Sequence, residues 1–323
     1  MSLGINTTTS EGIVLAADSR QSYHNQKGMS RVGSDSASKV FKLTDKVGVV
    51  VAGLAFLPEN GVLKNISRFI ENFKTTNDLK KMTVEEISNS LFEYFKLKYD
   101  SKKQLKDLAD NIKKNLQAQG SEIIKLDEKD THLEFSFKDA KKIERKGVAG
   151  VVQLQFIVAG FNRDDSFQSA MVYVPGKVEV KRDSKKVGQE YGAGWIGQTD
   201  VVSRIVLGFD PRVSNLPLMQ KVAPDEKGAN ELRSQLGGLE YSIQWGTMTL
   251  QDAIDFSLLA IETTTAIQRF SDGIKADPGD MPGVGGAIDI AVITRDKGFV
   301  WISKKKLSAG NTIVDLENLP DIA

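Results

Sequence analysis

The chain contains no cysteine, which excludes disulfides, thiolate nucleophiles and cysteine-ligated metals. Its two histidines, His24 and His132, are isolated from each other, and exposed polar positions are expected for both. An excess of one charge is missing as well. With 43 basic and 42 acidic residues the formal net charge is +1, so no whole-chain field draws it to nucleic acid or anionic lipid. The longest apolar runs are strand-sized, far short of a membrane span. The opening Met1-Ser2-Leu3-Gly4 lacks the basic and apolar regions of a signal peptide. These absences leave a soluble enzyme as the expected class and the cytoplasm as its expected location. At 323 residues the chain is long enough to bury a substantial core.

Three segments near the start carry the first chemical signal. Residues 12–18, Gly-Ile-Val-Leu-Ala-Ala-Asp, follow a turn at Ser10-Glu11-Gly12 and read as a buried strand closed by a carboxylate, then by Ser19 and Arg20. A charge at the edge of a core needs a partner. Lys39, which opens Lys-Val-Phe-Lys-Leu, is the natural candidate. A turn at Asp45-Lys46 then leads into Val47–Ala52, a second buried strand, which ends on Gly53.

In this order the three segments resemble the front half of a proteasome β-type subunit, a member of the N-terminal-nucleophile hydrolases. The resemblance implies a catalytic Asp18, Lys39 and an oxyanion-stabilising Gly53. Lys39 precedes Gly53 by fourteen positions, the family's spacing. Asp18 and Lys39 are about five residues further apart than usual, which predicts an enlarged loop over residues 21–37. The family places its N-terminal nucleophile sixteen residues before the Asp, which lands on Ser2. The triplet Thr7-Thr8-Thr9 sits too close to the Glu11-Gly12 turn and reads as a strand end. With Met1 removed, the Ser2 α-amine, titrating near pH 8, acts as base for its own hydroxyl. Lys39 lowers that hydroxyl's effective pKa and Asp18 holds the ammonium. The Gly53 amide stabilises the oxyanion where a side chain would obstruct approach. Ala37 and Val51 are the expected walls of a small apolar specificity pocket. The plainer reading of Ser2 is a terminal residue or part of an added leader.

The rest of the chain fills in the scaffold. Pro58 and Asn60 are expected to open a helix with Val62, Leu63, Ile66, Phe69, Ile70 and Phe73 on one apolar face. Thr83-Val84-Glu85-Glu86 is a capping box for a second helix. Residues 99–147 read as an insertion, with a helix carrying Leu105, Leu108, Ile112 and Leu116, then a charged hairpin segment. Asp127, Glu128, Asp130 and His132 lack the spacing of a calcium loop and read as a solvated loop. Val151–Phe161 and Ala170–Val174 read as neighbouring strands. Gly192–Gly197 is expected as a turn, followed by a helix capped by the Thr199 hydroxyl. Residues 211–246 read as loop with short helices. Leu250–Phe270 is a clear helix, and Ala287–Thr294 and Phe299–Ile302 are strands. Gly283-Val284-Gly285-Gly286 leads into a strand, which excludes a phosphate loop. The family's supporting Asp and Ser fall on Met281 and Val284, with Asp280 one position off. This pattern is nearest to the divergent bacterial ancestral β-subunit.

The fold class expected is α+β, a four-layer αββα sandwich over residues 1–323 with an insertion at about 99–147. The function expected is a threonine/serine-type peptidase acting through an acyl-enzyme in a ring-like homo-oligomer, on peptide or unfolded-protein substrates, with no cofactor, metal, nucleic-acid or membrane partner. An ATPase activator stays open. So do two alternatives: a non-catalytic proteasome-like scaffold subunit and a small-molecule amidohydrolase of the same fold.

Overall fold

The computed structural model describes residues 2–24, 29–223, 225–275, 277–279, 281–309 and 312–314. Met1, Asp280 and the His24 side chain, all named above, lie outside what is described.

Leu3–Thr8 (β1) and Ile13–Ala17 (β2) pair antiparallel, with Gly4 opposite Ala17 and Thr8 opposite Ile13. The turn is closed by the Thr9 N–H donating to the Gly12 carbonyl at 2.9 Å. Thr7 and Thr8 are the last two residues of β1 and buried, and Thr9 enters the turn, so the threonine triplet is the expected strand end. The enlarged loop forms its own hairpin, Gln21–His24 (β3) with Ser30–Ser34 (β4). Val40–Lys42 (β5) and Val47–Ala52 (β6) follow.

The helix expected from Pro58 begins later. Phe56–Glu59 (β7) and Val62–Asn65 (β8) form a hairpin turning at Asn60 and Gly61, both at positive φ. Val62 and Leu63 are 60% and 69% exposed, so their helical spacing to Ile66 was coincidental. The helix α1 spans Ile66–Thr76, with the Asn65 side chain capping the Ser67 N–H. Thr83 and Glu86 form the expected capping box of α2 (Val84–Lys98). Helix α3 (Ser101–Ala118) packs on a three-stranded sheet, Glu122–Glu128 (β9), His132–Lys138 (β10) and Glu144–Gly150 (β11), where one hairpin segment was expected. Its small core of Leu105, Ala109 and Leu133 touches the main body through Val151, and the Tyr99 hydroxyl donates to the Val152 carbonyl at 2.8 Å. Burial pushes that hydroxyl up to about 12, so it stays a donor.

Leu154–Phe161 (β12), Phe167–Val174 (β13) and Val178–Asp183 (β14) are consecutive antiparallel strands. Gly192–Gly197 is a strand, β15, not a turn: it pairs along the whole of β1. Helices α4 (Asp200–Leu207), α5 (Pro217–Val222), α6 (Glu226–Gly237) and α7 (Leu250–Phe270) follow. Thr199 precedes α4 without making a side-chain capping bond, contrary to expectation. After the short pair Gly273–Ile274 (β16) and Asp277–Pro278 (β17) come Asp289–Thr294 (β18) and Gly298–Ser303 (β19), then Leu307–Ala309 (β20) and Thr312–Val314 (β21).

The architecture is mixed α+β, with two five-stranded antiparallel sheets ordered β15-β1-β2-β18-β19 and β14-β13-β12-β6-β5. The unbroken apolar runs follow from burial on both faces, since successive side chains alternate across a strand. On β2, Ile13, Leu15 and Ala17 meet Val50 and Ile157 of the other sheet, whereas Val14 and Ala16 meet Val202 and Ile261 of α4 and α7. On β6, Val50 and Ala52 face the first sheet, whereas Val49 and Val51 meet Phe69, Leu91 and Phe95 of α1 and α2. Each buried branched residue contributes roughly 1.5–3 kcal/mol of transfer free energy. The sheets approach closely enough that a Cβ on Gly4 would lie 2.5 Å from Val50 Cγ1. Among the described residues, no helix is long and apolar enough to cross a membrane.

Candidate active site

The starts of β1 and β5 and the ends of β2 and β6 converge, and this places the predicted residues together. Asp18 follows β2 directly and is 1% exposed. Its Oδ1 accepts from Lys39 Nζ at 2.7 Å and the Leu3 N–H at 2.9 Å. Its Oδ2 accepts from the Gly285 N–H at 3.0 Å and the Arg20 N–H at 3.1 Å. A buried carboxylate with four donors is fully satisfied as an anion. Lys39, also buried, donates again to the Arg20 carbonyl at 2.6 Å. Burial pulls its ammonium below the usual lysine range, Asp18 opposes that pull, and Lys305 and Arg20 add to it.

Ser2 sits immediately before β1 and is 6% exposed. Its carbonyl accepts from the Gln198 N–H at 2.7 Å. Gly197, at φ +88°, makes that approach: a Cβ there would lie 2.0 Å from the Ser2 carbonyl oxygen. Gly53, at φ +102°, has a similar constraint, since its Cβ would lie 2.1 Å from the Gln153 carbonyl oxygen. Glycine is therefore required by the backbone behind the site, a different reason from the clear approach expected in front of it.

Ser2, Lys39, Gly53, Ala37 and Val51 line one cavity of about 30 Å³, room for roughly one or two waters. Asp18 lies beneath, held by its bond to Lys39. Two further wall residues, Gln21 and Asn65, hydrogen-bond to each other at 3.3 Å. Sequence reasoning missed Asn65 because it placed residues 58–65 on a helix.

A second ring fixes the first. Arg20 binds Asp35 in bidentate fashion at 2.7 and 3.0 Å, holding that carboxyl below its usual range, and reaches the Pro282 carbonyl. Gln268 Oε1 accepts from the Gly283 and Val284 amides, both at 2.9 Å, while its Nε2 donates to Gln198. Val284, standing where the resemblance has Ser, is buried among the α4 and α7 core residues, and Met281 lines a separate cavity with Arg204 and Gln268. Neither offers a polar group to Ser2. Asp289, buried opposite Ala17, accepts from the Lys305 N–H and Nζ. Neither Gln268 nor this second ion pair carries a local sequence signature. Asp289 ending the Gly-Gly-x-Ile-Asp run was the nearest available signal.

Among the described residues, no group of three or more His, Asp or Glu side chains is placed to hold a metal. Chemically, the arrangement sets a hydroxyl-bearing residue, a buried ammonium fixed by a carboxylate and a glycine at positive φ around one small cavity. Compared with models of known protein families and with curated proteins, the chain matches none.

Proposed function

We propose that the chain is an N-terminal-nucleophile hydrolase of the proteasome type, folded as a four-layer αββα sandwich, that cleaves peptide bonds through an acyl-enzyme on Ser2. The observation that carries this reading is the convergence of Ser2, Lys39 and Gly53 on one cavity, with Asp18 fixing Lys39 from below. The three successive cores support the layered fold, since each of the two sheets has helices on one face and the other sheet on its second face.

The chemistry requires Ser2 to be the first residue, with whatever precedes it removed. Ser2 Oγ then attacks the scissile carbonyl carbon while its proton passes to the Ser2 α-amine. The Gly53 N–H stabilises the oxyanion, and the Lys39 ammonium favours the alkoxide-like oxygen electrostatically. Collapse breaks the C–N bond, and the leaving amine takes the proton from the α-ammonium. A water then gives a proton to the α-amine and attacks the ester, releasing the acid and returning the proton to Oγ. Peptide or unfolded-protein substrates and a ring-like homo-oligomer go with this reading, and no cofactor enters it. The cavity's small size also accords with small-molecule amides, and turnover of those alone by a monomer or dimer would favour an amidohydrolase.

The test is intact mass before and after incubation with a peptide epoxyketone, a warhead that needs an amine and a hydroxyl on the same residue. A stoichiometric adduct mapped to Ser2 is expected. An adduct on Thr7, Thr8 or Thr9 overturns the register. No adduct, with Ser2 still preceded by another residue, overturns the peptidase reading for that form and moves the non-catalytic scaffold to first place.

A further inference from the structure

The pocket beside Ser2 is apolar along Ala37, Val51 and Ile66, but two carboxamides, Gln21 on β3 and Asn65 at the end of β8, also line it. Their orientations follow from one another. Asn65 Oδ1 accepts from the Ser67 N–H at 2.9 Å as the cap of α1, which turns its Nδ2 toward Gln21. Asn65 Nδ2 donates to Gln21 Oε1 at 3.3 Å, which in turn assigns the other end of the Gln21 amide as a donor. The hydrogens still available are therefore the pair on Gln21 Nε2 and the second on Asn65 Nδ2, three donors against two remaining lone pairs, one each on Gln21 Oε1 and Asn65 Oδ1. The charges nearby are already balanced: Arg20 is held by Asp35 and Lys39 by Asp18. A carboxylate entering the pocket thus meets no unpaired cation. The pocket is small, about 30 Å³, which favours a short side chain.

We infer that Gln21 and Asn65 are specificity-determining residues, and that the pocket takes a short, neutral substrate side chain ending in a hydrogen-bond acceptor, with asparagine as the best fit. This rests on the hydrolase reading above. An apolar side chain of the same size displaces the pocket water and leaves the two amides unpaired, which is how a polar site rejects a non-polar analogue. The hairpin of β7 and β8 acquires a role here, since it delivers Asn65 to the pocket before α1 begins.

The experiment uses the full chain with Ser2 at its N-terminus and peptide epoxyketones that differ only in the residue next to the warhead: asparagine, aspartate, alanine or leucine. The rate of Ser2 adduct formation is read by intact mass. The asparagine compound is expected to react about tenfold faster than the other three. Asn65→Asp keeps the oxygen that caps α1 but turns the donor facing Gln21 into an acceptor, and is expected to collapse that ratio to about one. Gln21→Met, on the partly exposed β3, is expected to do the same without touching the cap. Ser2 adducts forming as fast with alanine or leucine overturn the inference and leave the hydrolase reading standing. So does an unchanged ratio in both variants. No Ser2 adduct with any compound overturns both.

Discussion

The Lys39 ammonium lies 2.7 Å from Asp18 Oδ1, yet the two partners are not equally dependent on each other. Asp18 keeps three backbone donors without Lys39, namely the amides of Leu3, Arg20 and Gly285. Lys39 without Asp18 keeps, among the described residues, only the Arg20 carbonyl. Breaking a buried pair costs about 3–5 kcal/mol. Lys39→Met is expected near the lower figure and Asp18→Ala near the upper one, since the latter also orphans three amides. Urea denaturation of the two variants measures the difference. An equal or reversed order shows that the amides are satisfied without the carboxylate.

Gly53→Ala is expected to lower both stability and turnover. A positive φ is unfavourable for alanine by upward of about 1 kcal/mol, and its Cβ meets the Gln153 carbonyl. The peptide must shift, and if its N–H serves the oxyanion as proposed, loss of that donor costs roughly 10²–10³ in rate. A melting curve and the Ser2 adduct rate read the two effects separately. A variant with wild-type adduct rate removes Gly53 from the mechanism.

Gly197→Ala tests the support of Ser2 itself. The added methyl meets the Ser2 carbonyl oxygen, so the bond to the Gln198 N–H breaks and β15 separates from the start of β1. Hydrogen exchange is expected to quicken at Gly4–Asn6 and Gly194–Gln198, with Val49–Val51 unaffected. Unchanged exchange in β1 shows that the end of β15 absorbs the methyl.

These residues differ in how far the sequence alone reveals them. A carboxylate ending an apolar strand demands a partner, so the Asp18–Lys39 pair was readable from composition and order alone. The paired strands were readable because both faces of β2 and β6 are buried, which leaves five or six consecutive apolar residues. The β7–β8 hairpin was not, because exposed Val62 and Leu63 happen to continue the spacing of Ile66 and Phe69. Nor was β15, whose glycines have little strand preference and whose extension comes from pairing with β1. The donors from Gly285 and Gln268 act through backbone and distant contacts, which leave no mark on neighbouring residues.

Asp210 supplies a pH dependence away from the site. It ties Arg204 at the end of α4 to Arg212, and these guanidiniums, Arg212 foremost, lower its carboxyl from 3.8 to about 2. A depressed carboxylate stabilises the fold above its unfolded pKa, and the gain is lost as pH falls through the folded one. The urea midpoint of Asp210→Asn is therefore expected below wild type at neutral pH, with the gap closing between pH 3.8 and about 2. A gap that persists at the acid end assigns the effect to packing.

Leu133→Ala tests how far the segment of α3 and β9–β11 stands alone. Its core is small and separate, and such a truncation costs about 2–5 kcal/mol. Amide exchange is expected to accelerate across residues 101–150 while β12 keeps its protection. Acceleration in β12 as well shows one cooperative unit.

The donors on Asp18 have a consequence for how the protein is made. The Gly285 amide is separated from Asp18 by 267 positions, and β2 finds its second neighbour only in β18. A chain emerging from the ribosome therefore carries Ser2, Asp18 and Lys39 long before it carries the strand and the amide that fix them. Contacts of such span form late, after the intervening chain has been ordered. The candidate site is thus completed last although its first residues are translated first, and on the proposed reading Ser2 gains its full setting only once synthesis is nearly finished.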